Sequence, residues 1–298
     1  MRKLRNSTKY TGIITDLDLK TTSGKITYGI LTLILCIVTL ICVVPLLWAI
    51  LSGFKEVQEF YSSVSTSFFP KKFVISNLTD LFSKYHIEKY ALNSVFLIVG
   101  TLVVEIVFTA TGGYVLSKIK PIGGKILFTV ILWTMMMPTT LSMVPLFMTF
   151  IDFPILHINF MNSYIPMWLM AGANCFHILL FKDFFDGIPT SYFEAAKIDG
   201  AGSLQIFYRI ILPLSKPIVA TVSIFAIKAA WDQFLWPLLL LKKDAIKPLA
   251  LVLYELSDAM RAPQQLLFAV LITIPMVIVY YIGQYFIVNN SNSEGEKG

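Results

Sequence analysis

The chain has 298 residues, 56% of them hydrophobic and 14% charged, with a mean hydropathy of +0.72, which excludes an ordinary water-soluble domain of this length. The formal charge of +6 does not point to nucleic acid, because the basic residues are scattered through a tail and the loops between apolar runs, as on a membrane surface. A hydrocarbon core about 30 Å thick is crossed by roughly 20 apolar residues in helical form, and six such runs occur.

The first run, 26–51, contains Pro45 and is retained as a span, since no small-residue cleavage site follows it. The second, 92–116, ends in TGGYVLSK. The third, 126–150, carries Pro138 and Pro145 and is expected to kink at both. The fourth, fifth and sixth cover 164–182, 216–241 and 266–288. These runs predict an all-α membrane protein with six transmembrane helices in a domain over 26–290, flanked by cytoplasmic tails over 1–25 and 291–298. Lys and Arg are more numerous in the segments that lie inside when the N-terminus is inside, which predicts both termini on the cytoplasmic side of the membrane. Cys36, Cys42 and Cys175 all fall within apolar runs without metal-ligand spacing and read as small buried hydrophobes.

The inner loop 183–215 has a helical grammar of its own. Ser191 and Glu194 have the spacing of a capping box, Gly200 offers a left-handed helix end, and Ser203 is placed to cap a second helix leading to Pro213. In that second helix Leu204, Phe207, Tyr208 and Ile211 share one face. The spacing predicts helix, glycine turn, helix.

Glu194 to Gly200 read EAAKIDG, and nine residues later Ile210 to Pro213 read IILP. The string resembles the EAA loop of binding-protein-dependent ABC importer permeases. Asn93-Ser94, Met136 to Pro138, Val144 to Phe147 and the WDQFLWP of Trp231 to Pro237 are similar to the carbohydrate-import, maltose-type branch, as is the tail Glu294 to Gly298. Asp232 departs from the Asn usual in that branch. The resemblance implies a permease that forms a sugar or oligosaccharide pathway with a second, homologous permease. It also implies an extracytoplasmic sugar-binding protein and two cytoplasmic ATPase subunits that use ATP and Mg. The chain itself would be no enzyme and would bind no cofactor, metal or nucleic acid, only substrate, partners and lipid. Glu194, Ala195, Ala196, Asp199, Gly200, Ala201, Ile210, Leu212 and Pro213 would then couple to the ATPase, with Glu194 alternatively capping only its own helix. A nucleotide loop within the chain is excluded, because Gly124-Lys125 lacks both the leading glycine and the following hydroxyl.

Glu105 in the second run and Lys228 in the fifth are ionisable groups inside predicted spans, each costing at least about 2.5 kcal/mol unless paired or wetted. Lys228 and Asp232 lie one turn apart, with Trp231 beside them. In one reading Lys228, Trp231, Asp232, Asn93 and Glu105 line the pathway, Trp231 stacking on a sugar and Lys228 binding a hydroxyl or, in an acidic sugar, a carboxylate; in the other, Lys228 pairs internally with Asp232 or Glu105. Trp48, Tyr90, Trp168 and Trp236 read as interfacial belt residues, and His86, His157 and His177 are assigned no chemistry. A permease for a non-sugar solute and an ion-coupled secondary transporter are the rival readings. The second has no use for the 183–215 loop.

Overall fold

The computed structural model describes residues 21–62, 67–154 and 156–294, with side chains to 284. Of the tails expected over 1–25 and 291–298, residues 1–20 and 295–298 lie outside the described residues, while 22–25 and 291–294 belong to the first and last helices. The helices in chain order are α1 (Thr22–Gly53), α2 (Val57–Tyr61), α3 (Ser76–Ser83), α4 (Ile87–Tyr114), α5 (Gly124–Met136), α6 (Thr139–Ile151), α7 (Ile165–Gly172), α8 (Cys175–Asp186), α9 (Ser191–Ile198), α10 (Ser203–Ile206), α11 (Leu212–Leu214), α12 (Lys216–Trp231), α13 (Leu235–Leu240), α14 (Leu249–Glu255) and α15 (Ala262–Glu294). Among the described residues there is no β-strand beyond an isolated bridge between Phe153 and Ile158. Four helices or helix pairs are long and apolar enough to cross a membrane, and the number reaches six if each of two bent pairs is one span.

The bends have chemical causes. Between α5 and α6 the chain turns by 104° at Pro138, whose ring removes an amide donor and pushes Met137 into an extended conformation. Pro145 lies inside α6, which runs on past it, so the helix is divided at Pro138 and not at Pro145. The fifth run also departs from expectation, because it is divided at Asp232–Phe234 into α12 and α13. Before it, α10–α11 meet α12 at an 80° bend, where Ser215 Oγ donates to Ile211 O at 2.6 Å and Pro217 enters the first turn of α12.

The centre of the bundle is α4, which packs on α7, α8, α12 and α14. Leu97, Thr101, Glu105 and Thr109 are buried along one side of it at intervals of four residues, and Gly113 continues the stripe. With lipid tails as apolar as any side chain, close approach of small residues holds such helices together. Gly100 lets the Trp168 ring lie against the α4 backbone, where a Cβ would come within 2.1 Å of it. Trp168 Nε1 donates to Leu97 O at 3.0 Å, so this residue is an internal wedge and not the belt residue expected.

α1 packs on α15 and leaves most of its apolar surface uncovered within this chain, Cys36 and Cys42 included, contrary to the buried positions expected for them. Its end is held by Asn77, whose buried side-chain amide donates to Gly53 O at 3.0 Å and to Lys55 O at 2.9 Å. Asn77→Ala strands both carbonyls, and the thermal unfolding of the purified protein in detergent should show a loss of about 1–3 kcal/mol. An unchanged midpoint would mean that water or lipid headgroups replace this clamp at no cost.

Candidate functional site

The EAA segment forms α9. The expected capping box is not made, because the helix starts early: Thr190 already has helical dihedrals, and the amides of Phe193 and Glu194 both bond to Thr190 O, at 2.9 and 3.1 Å. Ser191 is thus inside the first turn, and Glu194 is exposed with its carboxylate free of protein partners among the described residues. The glycine turn is as expected. Gly200 has φ 79° with nothing within 4 Å of where a Cβ would stand, so conformation, and not space, requires glycine. Gly200 N–H bonds to Lys197 O at 3.0 Å and Ala201 N–H to Ala196 O at 2.9 Å, the paired bonds of a Schellman ending, with Ala196 and Ala201 both in the apolar cluster beneath.

The second helix begins at Ser203, but Gly202 is its N-cap and the Ser203 hydroxyl makes no capping bond. A π-helical turn over Phe207–Ile211 then rotates the chain. Ile206, Phe207 and Ile211 are buried, whereas Leu204 and Tyr208, expected to share their face, point outward. Ile210 and Leu212 are half-buried, and Pro213, Ala195 and Asp199 are exposed.

What fixes the loop to the bundle is the end of α4. Tyr114 stacks on Phe193 with centroids 6.3 Å apart, touches Phe207 at 5.0 Å and donates its hydroxyl to Ser203 O at 3.0 Å. Lys118 Nζ lies 4.7 Å from the Phe193 centroid and donates to Ile188 O at 2.8 Å. Tyr114 and Lys118 were not singled out from the sequence; an aromatic and a lysine closing TGGYVLSK were the available signal. Outward, the paired helices present Ile198, 86% exposed, and Leu204, 70% exposed, beside Tyr192 and Tyr208.

The residues expected on the pathway do not converge. Lys228 pairs with Asp232 at 2.9 Å, and both side chains are more than half exposed, so of the two internal partners considered for Lys228 it takes Asp232 and not Glu105. Trp231, expected to face the pathway, is instead 7% exposed and packed on α15, where its Nε1 donates to Ile272 O at 3.1 Å. The indole ring is consumed by packing and offers no face to a sugar. Asn93 is also engaged structurally, its amide donating to Ala245 O and Lys247 O at 3.0 and 2.9 Å, while Ser94 Oγ accepts from Leu249 N at 2.8 Å. These bonds tie the start of α4 to the loop before α14. In that loop burial works to lower the pKa of Lys247, yet bonds to Asp244 and Glu255 outweigh it and hold the ammonium above its ordinary value.

Glu105 is 2% exposed and its partner is one the sequence did not suggest. His177 Nδ1 lies 2.5 Å from Glu105 Oε1, and Asn174 Nδ2 donates to the same oxygen at 3.0 Å. Asn174 stands at the joint between α7 and α8 and caps α8 by accepting from His177 N at 3.2 Å. The sequence separation of 72 between Glu105 and His177 hides the pair from any local pattern. The requirement that a charge within a span be paired was the signal.

Residues 109–290 match the family model described as binding-protein-dependent transport system inner membrane component. A diacetylchitobiose uptake system permease protein from Streptomyces coelicolor is 30% identical over 251 residues, covering 83% of this chain and 81% of that protein. A polygalacturonan/rhamnogalacturonan transport system permease protein from Bacillus subtilis is 31% identical over 83% of this chain and 90% of its own length. An arabinooligosaccharides transport system permease protein from Halalkalibacterium halodurans is 27% identical over 94% of this chain and all of its own. A chain in the crystal structure of a bacterial ABC transporter involved in the import of the acidic polysaccharide alginate shares the fold, with a TM-score of 0.76 at 23% identity over 89% of this chain and 98% of that one. By the match over 109–290 and the likeness to the first two permeases, this chain belongs to the family of binding-protein-dependent transport system inner membrane components.

Proposed function

We propose that this chain is one of two permeases forming the membrane pathway of an ABC importer for a sugar or oligosaccharide, driven by separate ATPase subunits and fed by an extracytoplasmic binding protein. The carrying observation is the α9–Gly200–α10 unit. It is bolted by Phe193, Ala196, Ile206 and Phe207 to the end of α4, yet it leaves Glu194, Ile198, Leu204 and Tyr208 uncovered. A rigid lever with an unpartnered apolar and acidic face suits a cytoplasmic protein that pushes on α4 and α12 together. In this reading residues 183–215 are the ATPase-coupling element, the tails 1–25 and 291–298 are cytoplasmic, and the chain performs no chemistry and holds no ATP or Mg. Two of the permeases it resembles are named for a disaccharide and for arabinooligosaccharides and a third for polygalacturonan and rhamnogalacturonan, which supports the saccharide class. In this reading the exposed Lys228–Asp232 pair would face the pathway or the second permease.

The test is reconstitution with the partner permease, ATPase and binding protein in liposomes, measuring uptake of di- and trisaccharides with and without ATP. Uptake should require ATP and fall at least about tenfold in Glu194→Ala, the effect of losing a central contact of about 1.4 kcal/mol or more. Uptake that follows an ion gradient and ignores ATP would overturn the importer reading.

A further inference from the structure

A cavity of about 190 Å³ lies beside the α7–α8 joint, lined by residues of α4, α7 and α12 and by Gln233 and Trp236. That space is on the scale of one sugar ring, and the cavity is half-open, so the remainder of a longer sugar would lie outside it. Four of its polar groups have open hydrogen-bonding capacity. Both bonds made by Glu105 fall on Oε1, and Oε2 has no partner among the described residues although the side chain is 97% buried. Thr101 Oγ1, the Gln233 amide and Trp236 Nε1 likewise have none among the described residues. Among these atoms one is a fixed acceptor, one a fixed donor and two can do either. Among the described residues only Ser52 Oγ is sealed from solvent without a partner, so these four groups are open to the cavity, where water or a ligand completes their hydrogen bonds.

The set is matched to a polyol. Ring hydroxyls both donate and accept, the indole of Trp236 adds an aromatic wall, and the Met167, Met170 and alanine surfaces suit the apolar faces of a pyranose. An acidic sugar is matched poorly. No Lys or Arg is among the lining residues, and a uronate carboxylate would meet Glu105 Oε2, acceptor against acceptor. Lys228, on the same helix, is absent from the lining and already bonded to Asp232. We propose that this cavity is a subsite for a single uncharged sugar unit, with Glu105, Thr101, Gln233 and Trp236 as its hydrogen-bonding groups. Asn174 and His177 are positioning residues that hold Oε1, so that Oε2 faces the cavity. The proposal rests on the sugar-importer reading and narrows it to neutral substrates.

The test uses the complete importer in liposomes with saturating loaded binding protein, comparing neutral disaccharides, diacetylchitobiose among them, with digalacturonate. Neutral sugar should be imported in preference. Thr101→Val and Gln233→Ala should each slow that uptake about five- to tenfold, the weight of one lost hydrogen bond, with the thermal midpoint of the complex unchanged. Gln233→Cys, in a chain with its three native cysteines replaced by serine, should react with a small thiol reagent at least about fivefold more slowly while neutral sugar is being transported. Preferential import of digalacturonate overturns the subsite's chemistry and leaves the sugar-importer reading standing. Neutral uptake that is indifferent to both variants, or labelling that is indifferent to sugar, overturns the subsite itself. ATP-independent uptake, or import of none of the sugars, takes down the underlying reading and the proposal with it.

Discussion

Gly113→Ala is expected to destabilise the protein by at least about 3 kcal/mol, while Gly112→Ala one residue away is expected to be tolerated. A Cβ on Gly113 would come within 2.7 Å of Phe181 Cβ, 2.8 Å of Lys182 N and 3.0 Å of Ile178 O. Two of these atoms are backbone, and Phe181 is fully buried, so none can give way without separating α4 from α8. On Gly112 the same atom would meet only Ile178 side-chain carbons at 3.4 to 3.6 Å, an ordinary contact that adds dispersion and lowers the entropy of the unfolded chain. Thermal unfolding of the two variants in the same detergent decides the matter. Equal midpoints would mean that α4 and α8 are not in backbone contact here. A large loss confined to Gly113 has a functional corollary, since α4 and α8 carry Glu105 and His177, and separating them would also open the polar cavity.

What could be read from the sequence divides along a physical line. Spans are legible because roughly 20 apolar residues in succession leave few alternatives, and α1, α4 and α15 lie where their runs predict them. The glycine turn at Gly200 is legible because a left-handed residue after a short helix admits little else. Capping was harder. Ser191 to Glu194 fits the box, but Thr190 enters the helix first and consumes the amides it needs. The face of α10 was misjudged at Leu204 and Tyr208, since a π-helical turn changes the angular step and no local propensity announces it. Side-chain partners across spans were the least legible. Trp231 reads like a sugar platform beside Lys228 and Asp232, yet whether it turns toward a pathway or toward α15 depends on packing with Phe268 and its neighbours, far away in sequence. Glu105 was correctly marked as needing a partner, and the choice of His177 over Lys228 belongs to the α4–α8 contact, which Gly112 and Gly113 permit. In retrospect Leu97, Thr101, Glu105, Thr109 and Gly113, four apart, mark the inward side of α4.

The proposed coupling role of the 183–215 loop can be tested by two substitutions that should fail for different reasons. Ile198→Glu places a charge at a side chain that is 86% exposed and touches little of its own chain, so the unfolding midpoint of this permease alone should not move. In the assembled importer the same change should cut ATP-driven uptake more than tenfold, because a desolvated carboxylate in an apolar contact costs about 2 kcal/mol or more. Gly200→Val acts inside the chain. Its backbone holds φ 79°, and a β-branched residue there is strained by about 1–3 kcal/mol, which should lower the midpoint of the isolated permease as well as uptake. Both substitutions should leave ATP hydrolysis by the free ATPase subunits untouched. If Ile198→Glu transports normally, the exposed face of α9 meets solvent and the force must enter elsewhere, the remaining exposed large apolar side chains of the loop being Tyr192, Leu204, Tyr208 and Leu214. If Gly200→Val lowers uptake with no loss of stability, the turn is a hinge that must change conformation during transport, and α9 and α10 do not move as one piece. Loss of uptake in both, with loss of stability in only the glycine variant, is the outcome that a rigid lever pressed by a separate motor requires.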